Sequence, residues 1–448
     1  MAAKAALLCV AALAGVDGWK APRTPALLKP LATKLLEASL AVGACGALPC
    51  AAAAATKTPV TATIPQKAPS RKYLFVTGFP FPLGPITERR TVQSELVRGR
   101  VYGFAQELRL SGITANSRCT VIRTATNELV VYDPVAPTQE FLEQLENLNA
   151  PVKHILLGAT TYEHKAFVGP FSRKFPAAKV WAVPDQFAWP LDLAPKALGI
   201  DVKKNGGGDL IDSASAKSTY PPDFRNEFEV KLLRPAERLG FGYAASEAAL
   251  FHKPTKTLVL TDALINVPAI PTPDYEVANL RGVGEDGQQG NTLGSVILKL
   301  LCFTNFEAGR AIVDPYWARV DTTDALQRGW ERNALLSLFF GPSPTSVVYP
   351  HASFAKLPGA WRVAPVVEAL VYKSDRVRPE LRRWVDDVAK WDFTYVSPAH
   401  FAAGRGSPAD WKRAFGPVLA GTRDPAYGEK DLALLETLAA AVERAGIN

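Results

Sequence analysis

The sequence predicts a layered α/β protein, and three observations carry that reading. Short apolar runs alternate with amphipathic helical segments: a strand over 129–132, a helix over 137–148, a strand over 154–157, a helix over 164–175 and a strand over 179–183. Two further runs, 248–251 and 257–261, flank Lys253-Pro254-Thr255-Lys256 and read as a hairpin. The 448 residues are 48% hydrophobic and 21% charged, with no repeat of solenoid period. Such a chain buries a large core, and collagen, coiled coil and wholesale disorder are excluded.

Residues 1–55 read as a targeting presequence. After Lys4, residues 5–16 are uncharged and apolar, like the core of a signal peptide and too short to span a bilayer. The basic, Pro-rich stretch Trp19-Lys20-Ala21-Pro22-Arg23-Thr24-Pro25 follows, then a second uncharged run over 38–56. This order resembles the bipartite or tripartite presequences of algae whose plastids carry extra envelope membranes. The resemblance implies a plastid address, in the thylakoid lumen or the stroma, with a mature protein that is soluble or peripheral to a membrane. Retention of 38–55 as a membrane anchor is the competing reading. Cys9, Cys45 and Cys50 fall in this segment, and Cys119 and Cys302 read as buried small hydrophobes. The segment also holds five basic and two acidic residues of a chain with net charge +8. The +5 left over 393 residues is too dilute to argue for nucleic acid as a partner.

Residues 56–94 read as an extended arm, because Phe79-Pro80-Phe81-Pro82-Leu83-Gly84-Pro85 suits neither regular helix nor a central strand. The main domain is expected over 95–420, opening with strands at 101–104, 107–110, 119–123 and 129–132. Two excursions interrupt it: 203–218, with Gly206-Gly207-Gly208, and 268–291, with Gly282, Gly284, Gly287 and Gly290. Arg281 to Gly287 superficially resembles a phosphate loop, but it follows no strand and is assigned to the second excursion. The tail reads as a helix over 379–390, a strand over 393–397 and a helix over 408–419. A C-terminal helix over 430–445 lies within a final segment, 421–448. Trp361, Trp384, Trp391 and Trp411 are expected to pack these helices.

The chemistry-bearing residues are few, since the chain has five histidines and neither a Gly-x-Ser-x-Gly nor a Walker motif. His164 closes Gly158-Ala159-Thr160-Thr161-Tyr162-Glu163-His164 just after a strand, and His400 closes Tyr395-Val396-Ser397-Pro398-Ala399-His400. Asp262 ends the strand Leu258-Val259-Leu260-Thr261, and Asp133 ends Val130-Val131-Tyr132. Strand ends are where layered α/β folds place ligands. Folding the hairpin about its turn puts Glu247 opposite Asp262 and His252 at the turn end, away from it. His154 and His351 are expected to be structural.

This order of elements resembles the metallo-β-lactamase-like superfamily, whose motifs are His-x-His-x-Asp-His, a later lone His, a strand-end Asp and a final His after Pro-Gly. The resemblance implies a four-layer αββα sandwich with insertions and a metal site at one edge of its two sheets. The positions that match the first motif read Ala159, Thr161, Glu163 and His164, so the ligands of one metal are lost. The second set survives as Glu163, His164, Asp262 and His400, with Glu one methylene longer than the family's Asp. Two imidazoles and two carboxylates suit one Zn, Mn or Fe ion. Asp133, Thr161, Glu247 and Arg405 are expected around it or toward a substrate. The eroded motifs and the Phe79 to Pro82 arm place the chain near an uncharacterised branch of plant, algal and cyanobacterial proteins that keep this fold and lose most ligands. That implies a binding or scaffold protein without two-metal hydrolase activity, with the arm or 268–291 docking a small-molecule or plastid-protein partner. The alternative is a mononuclear metal-dependent hydrolase of an ester, thioester or lactone, with Thr161 or Arg405 orienting the substrate.

Overall fold

A computed structural model describes residues 68–73, 87–110, 113–186, 194–236, 244–285 and 325–444. The presequence, Phe79 to Pro85, residues 286–291 and Cys302 lie outside the described residues. From Pro69 onward the chain forms one folded unit.

Its architecture follows from strands that are apolar on both faces. β1 (Lys72–Tyr73) and β2 (Thr87–Glu88) form a small ribbon. A seven-stranded sheet then runs in chain order: β3 (Thr91–Val97), β4 (Val101–Leu110), β5 (Ile113–Arg123), β6 (Leu129–Tyr132), β7 (Val152–Leu157), β8 (Lys179–Ala182) and β9 (Gly208–Asp209). Pairing is antiparallel from β3 to β6 and parallel from β6 to β9. The second sheet holds β10 (Phe228–Leu233), β11 (Glu247–His252), β12 (Thr257–Leu260), β13 (Tyr395–Pro398) and β14 (Gly404–Arg405), with β12 and β13 parallel.

Alternate residues of each strand feed different apolar layers. In β6, Leu129 and Val131 pack with α1 (Gln139–Glu146) and α2 (Tyr162–Lys174), while Val130 and Tyr132 face the other sheet. In β12, Val259 faces the first sheet, and Leu258 and Leu260 face the C-terminal helices. Period-2 side-chain alternation with both faces covered is what produces helix, sheet, sheet and helix in sequence, the αββα sandwich. One edge of the inner layer is completed by α3 (Pro222–Glu227), whose Phe224 stacks on Phe228. The outer helices beside the second sheet include α4 (Val277–Glu285), α5 (Ala325–Phe339), α6 (Pro344–Val348), α7 (His351–Phe354), α8 (Pro365–Val367), α9 (Arg378–Val388), α10 (Pro408–Leu419) and α11 (Glu429–Arg444). Trp361, Trp384, Trp391 and Trp411 all belong to that outer core, as expected.

Several expectations are corrected. The strands expected at 101–104 and 107–110 are one strand, because nothing between them breaks the ladder to β5. Residues 91–94, expected in the arm, belong to β3. The first excursion supplies β9, an edge strand hydrogen-bonded to β8. The second contains α4, which crosses α5 at backbone contact: a Cβ on Gly284 would lie 1.8 Å from the Ala325 carbonyl oxygen, and one on Gly329 would lie 1.8 Å from that of Leu280. Those glycines serve helix packing rather than loop freedom. Among the described residues no helix is long and apolar enough to cross a membrane.

Candidate metal centre

Parallel pairing gathers the candidate residues. Because β6 and β7 run parallel, as do β12 and β13, the C-terminal ends of each pair lie at the same edge of the sandwich. At that edge the chain leaves β7 through Gly158 and enters α2, whose first turn carries Glu163 and His164. Gly158 has no alternative, since a Cβ there would lie 1.9 Å from the Tyr132 hydroxyl. Asp262 follows β12 by two residues, and His400 follows β13 by two.

The structure brings all four together. One ligand atom from each of Glu163, His164, Asp262 and His400 falls within 4.8 Å of the others, and every one of these residues is about 1% exposed. His164 Nε2 and His400 Nε2 are 3.2 Å apart, and Asp262 Oδ1 lies 3.2 Å from His400 Nε2 and 3.7 Å from His164 Nε2. For metal–ligand bonds of about 2.0–2.1 Å, the edges of a coordination tetrahedron are about 3.4 Å long. Three donors therefore already have the spacing of ligands around one ion.

The electronic arrangement fits a cation as well. His400 Nδ1 is 2.6 Å from the Asn116 carbonyl oxygen, which can only accept, so Nδ1 carries the proton and Nε2 turns a lone pair toward Asp262 and His164. Two ring nitrogens and a carboxylate oxygen at this separation need positive charge between them. A proton answers this in part: burial pulls His164 down, but the Asp262 hydrogen bond and the charges of Asp133, Asp262 and Glu163 outweigh it and leave the imidazole above its ordinary value. Burial lowers His400. Lys165, buried beside the pair, is pulled down to about 7 by desolvation.

Two further carboxylates hold the frame. Glu247 Oε1 accepts from the consecutive backbone amides of Thr261, Asp262 and Ala263 at 2.9, 2.9 and 3.1 Å, which fixes the turn that presents Asp262. The hairpin register, Leu250 opposite Val259, extends to put Glu247 opposite Asp262, as the sequence predicts. Asp133, at φ 50°, accepts from the Gly158 amide and from the Thr261 hydroxyl, both at 2.7 Å, and so ties one sheet to the other. Burial pushes its carboxyl up.

The other candidates fall elsewhere. Thr161 is the buried N-cap of α2, without a side-chain capping bond. Arg405 is exposed and pairs with Tyr395 at the start of β13, the end opposite the one that leads to His400. His154 accepts from the Trp181 indole at 2.9 Å within the core. His252 sits at the hairpin turn on Glu227 and Thr255. His351, expected to be structural, opens α7 on the surface beside Glu331. Asn116 and Arg118, which grip the loop carrying His400, were not legible in the sequence. Nothing in the strand sequence singles them out, since Thr114, Ser117 and Thr120 beside them are polar too.

Comparison with solved structures returns distant likenesses. The chain resembles the Flv1 flavodiiron core from Synechocystis sp. PCC6803 at 9% identity and TM-score 0.40, over 74% of this chain and 61% of that one. It thus spans about three fifths of that structure. A metallo-β-lactamase from Pontibacter korlensis matches at 10% identity and TM-score 0.33, over 73% of this chain and 99% of that one. A flavoprotein from Thermotoga maritima matches at 8% identity and TM-score 0.39, over 75% and 63%. No curated protein matches by sequence. A family model, described as a domain of unknown function, DUF4336, matches residues 98–356 and 349–416. Matched by that model over most of its length, and with two facing sheets between outer helices, the chain belongs to the DUF4336 family.

Proposed function

We propose that this protein holds a single divalent ion, Zn, Mn or Fe, in a closed site, and serves as a binding or scaffold protein rather than a two-metal hydrolase. The observation that carries this reading is the convergence of Glu163, His164, Asp262 and His400 at about 1% exposure. When bound, the ion cross-links donors from both sheets and neutralises two buried carboxylates. For Zn, four protein ligands complete the tetrahedron and leave no open position, the habit of structural rather than catalytic sites. The chain's own residues support the same assignment. Ala159 stands where a ligand to a second metal would be needed and offers none, and its backbone bridges to Glu247 instead. Arg405 is exposed beside the opposite end of β13, whereas the four ligands are buried.

Metal analysis of the purified full chain after dialysis tests this. About one equivalent is expected, and His164→Ala should retain none. Chelation should lower Tm, because an ion at about 100 times its Kd contributes about 2.7 kcal/mol. Negligible metal in the wild-type protein, or an unchanged Tm on chelation, removes the reading. Turnover of an ester or thioester that disappears with the metal would favour the mononuclear hydrolase instead.

A further inference from the structure

We propose that Asn116 and Arg118 of β5 form a clamp that sets the ring orientation and tautomer of His400, and are positioning residues of the metal site. The inference rests on the metal-binding reading for its affinity test, but not for its tautomer test.

Asn116 and Arg118 are two apart in a strand, so their side chains leave the same face. Both reach the segment Pro398 to Phe401, about 280 residues away in sequence. Asn116 holds Phe401 from two sides: its Oδ1 accepts from the Phe401 amide at 2.6 Å and its Nδ2 donates to the Phe401 carbonyl at 3.1 Å. Its own carbonyl accepts the His400 Nδ1 proton at 2.6 Å. Arg118 donates from its guanidinium to the carbonyls of Pro398 (2.8 Å) and Phe401, and from its backbone amide to the carbonyl of Ala399 at 2.7 Å. Every residue from 398 to 401 is thereby hydrogen-bonded to this pair.

The segment needs such a grip. Phe401 has φ 57°, in the left-handed region that an aromatic residue enters only at a cost, yet its side chain is buried in the core. The conformation persists because Asn116 satisfies both of its backbone polar groups. Tyr275 in turn receives the Asn116 amide at 3.2 Å, which anchors the clamp from outside the sheet. Asn116 and Arg118 are both buried, at 1% and 5% exposure, and spend their polar atoms on this one loop rather than on solvent. Partners of this kind, behind a ligating histidine, typically govern metal affinity by about 10–100-fold.

The test combines affinity and tautomer in the full chain. Competition with a chromophoric chelator should show Asn116→Ala binding metal roughly 10–100-fold more weakly than wild type. The near-isosteric Asn116→Asp keeps the acceptor for the Phe401 amide, sets a second acceptor against its carbonyl and adds a carboxylate; it guards against failure of the alanine variant to fold and should still bind metal more weakly than wild type. A purely structural role would lower Tm while leaving affinity within twofold, and that result overturns the proposal. In parallel, two-bond nitrogen–proton NMR correlations on metal-free protein should show His400 protonated at Nδ1 in wild type and as a tautomer mixture in Asn116→Ala. If wild type binds no metal, the metal reading fails, and the tautomer decides the clamp alone: Nδ1–H in wild type that becomes a mixture in Asn116→Ala upholds it, and the same tautomer in both proteins overturns it.

Discussion

The two ends of the β11–β12 hairpin each bury a histidine against carboxylates, and among the described residues only one end gathers donors that could hold a metal ion. At the turn end His252 uses both ring nitrogens, with Nδ1 2.7 Å from the Thr255 hydroxyl and Nε2 3.3 Å from Glu227. Glu227 also accepts from Arg100 at 3.0 Å and from the Ala125 amide at 2.8 Å, so a fixed guanidinium already balances its charge. At the open end two imidazoles and an acid meet through Nε2 and Oδ1 at 3.2–3.7 Å, and the outer nitrogen of His400 is held by the Asn116 carbonyl. What separates the ends is not residue type. It is whether a permanent cation is built in, or electron pairs are left converging on one point.

The largest expected effect breaks the comparison directly. Asp262→Ala should weaken metal binding by more than roughly 100-fold, beyond the range for a supporting residue, whereas His252→Ala should keep one equivalent. His252→Ala should nevertheless cost about 2–3 kcal/mol in urea unfolding, because Glu227 loses a buried partner. Loss of metal in His252→Ala would show that the two ends are not independent.

A pH series sharpens the contrast. Desolvation lowers His252 to about 4, against about 6.5 in an unfolded chain, and His154 likewise. An imidazole of this kind takes up its proton only on unfolding, so its stabilising contribution is complete above about pH 6.5. It is lost as pH falls toward 4, by up to about 3 kcal/mol for each histidine. His252→Gln should flatten the stability profile between pH 6.5 and 4, and an unchanged slope would mean that His252 is protonated in the folded protein.

The smallest effect concerns the support of Asp262. Glu247→Gln keeps an oxygen that can accept from the three amides but removes the charge, so metal affinity should fall by about tenfold with little change in secondary structure. Equal affinities by chelator competition would reduce Glu247 to a packing role.

These particulars show which parts of the protein were readable. The Glu247–Asp262 juxtaposition was legible because hairpin register is local arithmetic from a turn to the residues that flank it. The convergence of His164, Asp262 and His400 was legible only through the resemblance, since no spacing relates residues this far apart. Strand β9 was missed because Gly208-Asp209 has no β-propensity and pairs only because β8 leaves an edge. Helix α4 was missed because its glycines read as loop until α5 is placed against them.

By itself, then, the sequence determined the element types and the hairpin, because hydrophobic period and turn chemistry act over a few residues. It also determined that position 159 supplies no side-chain ligand, since alanine has no donor to offer in any fold. Only the tertiary structure decided that the remaining donors turn their lone pairs inward, that Arg405 lies at the far end of β13, and that Asn116 holds the last histidine. Those outcomes depend on which strand ends share an edge and on which backbone carbonyl faces an imidazole, and such pairings form only when distant segments pack.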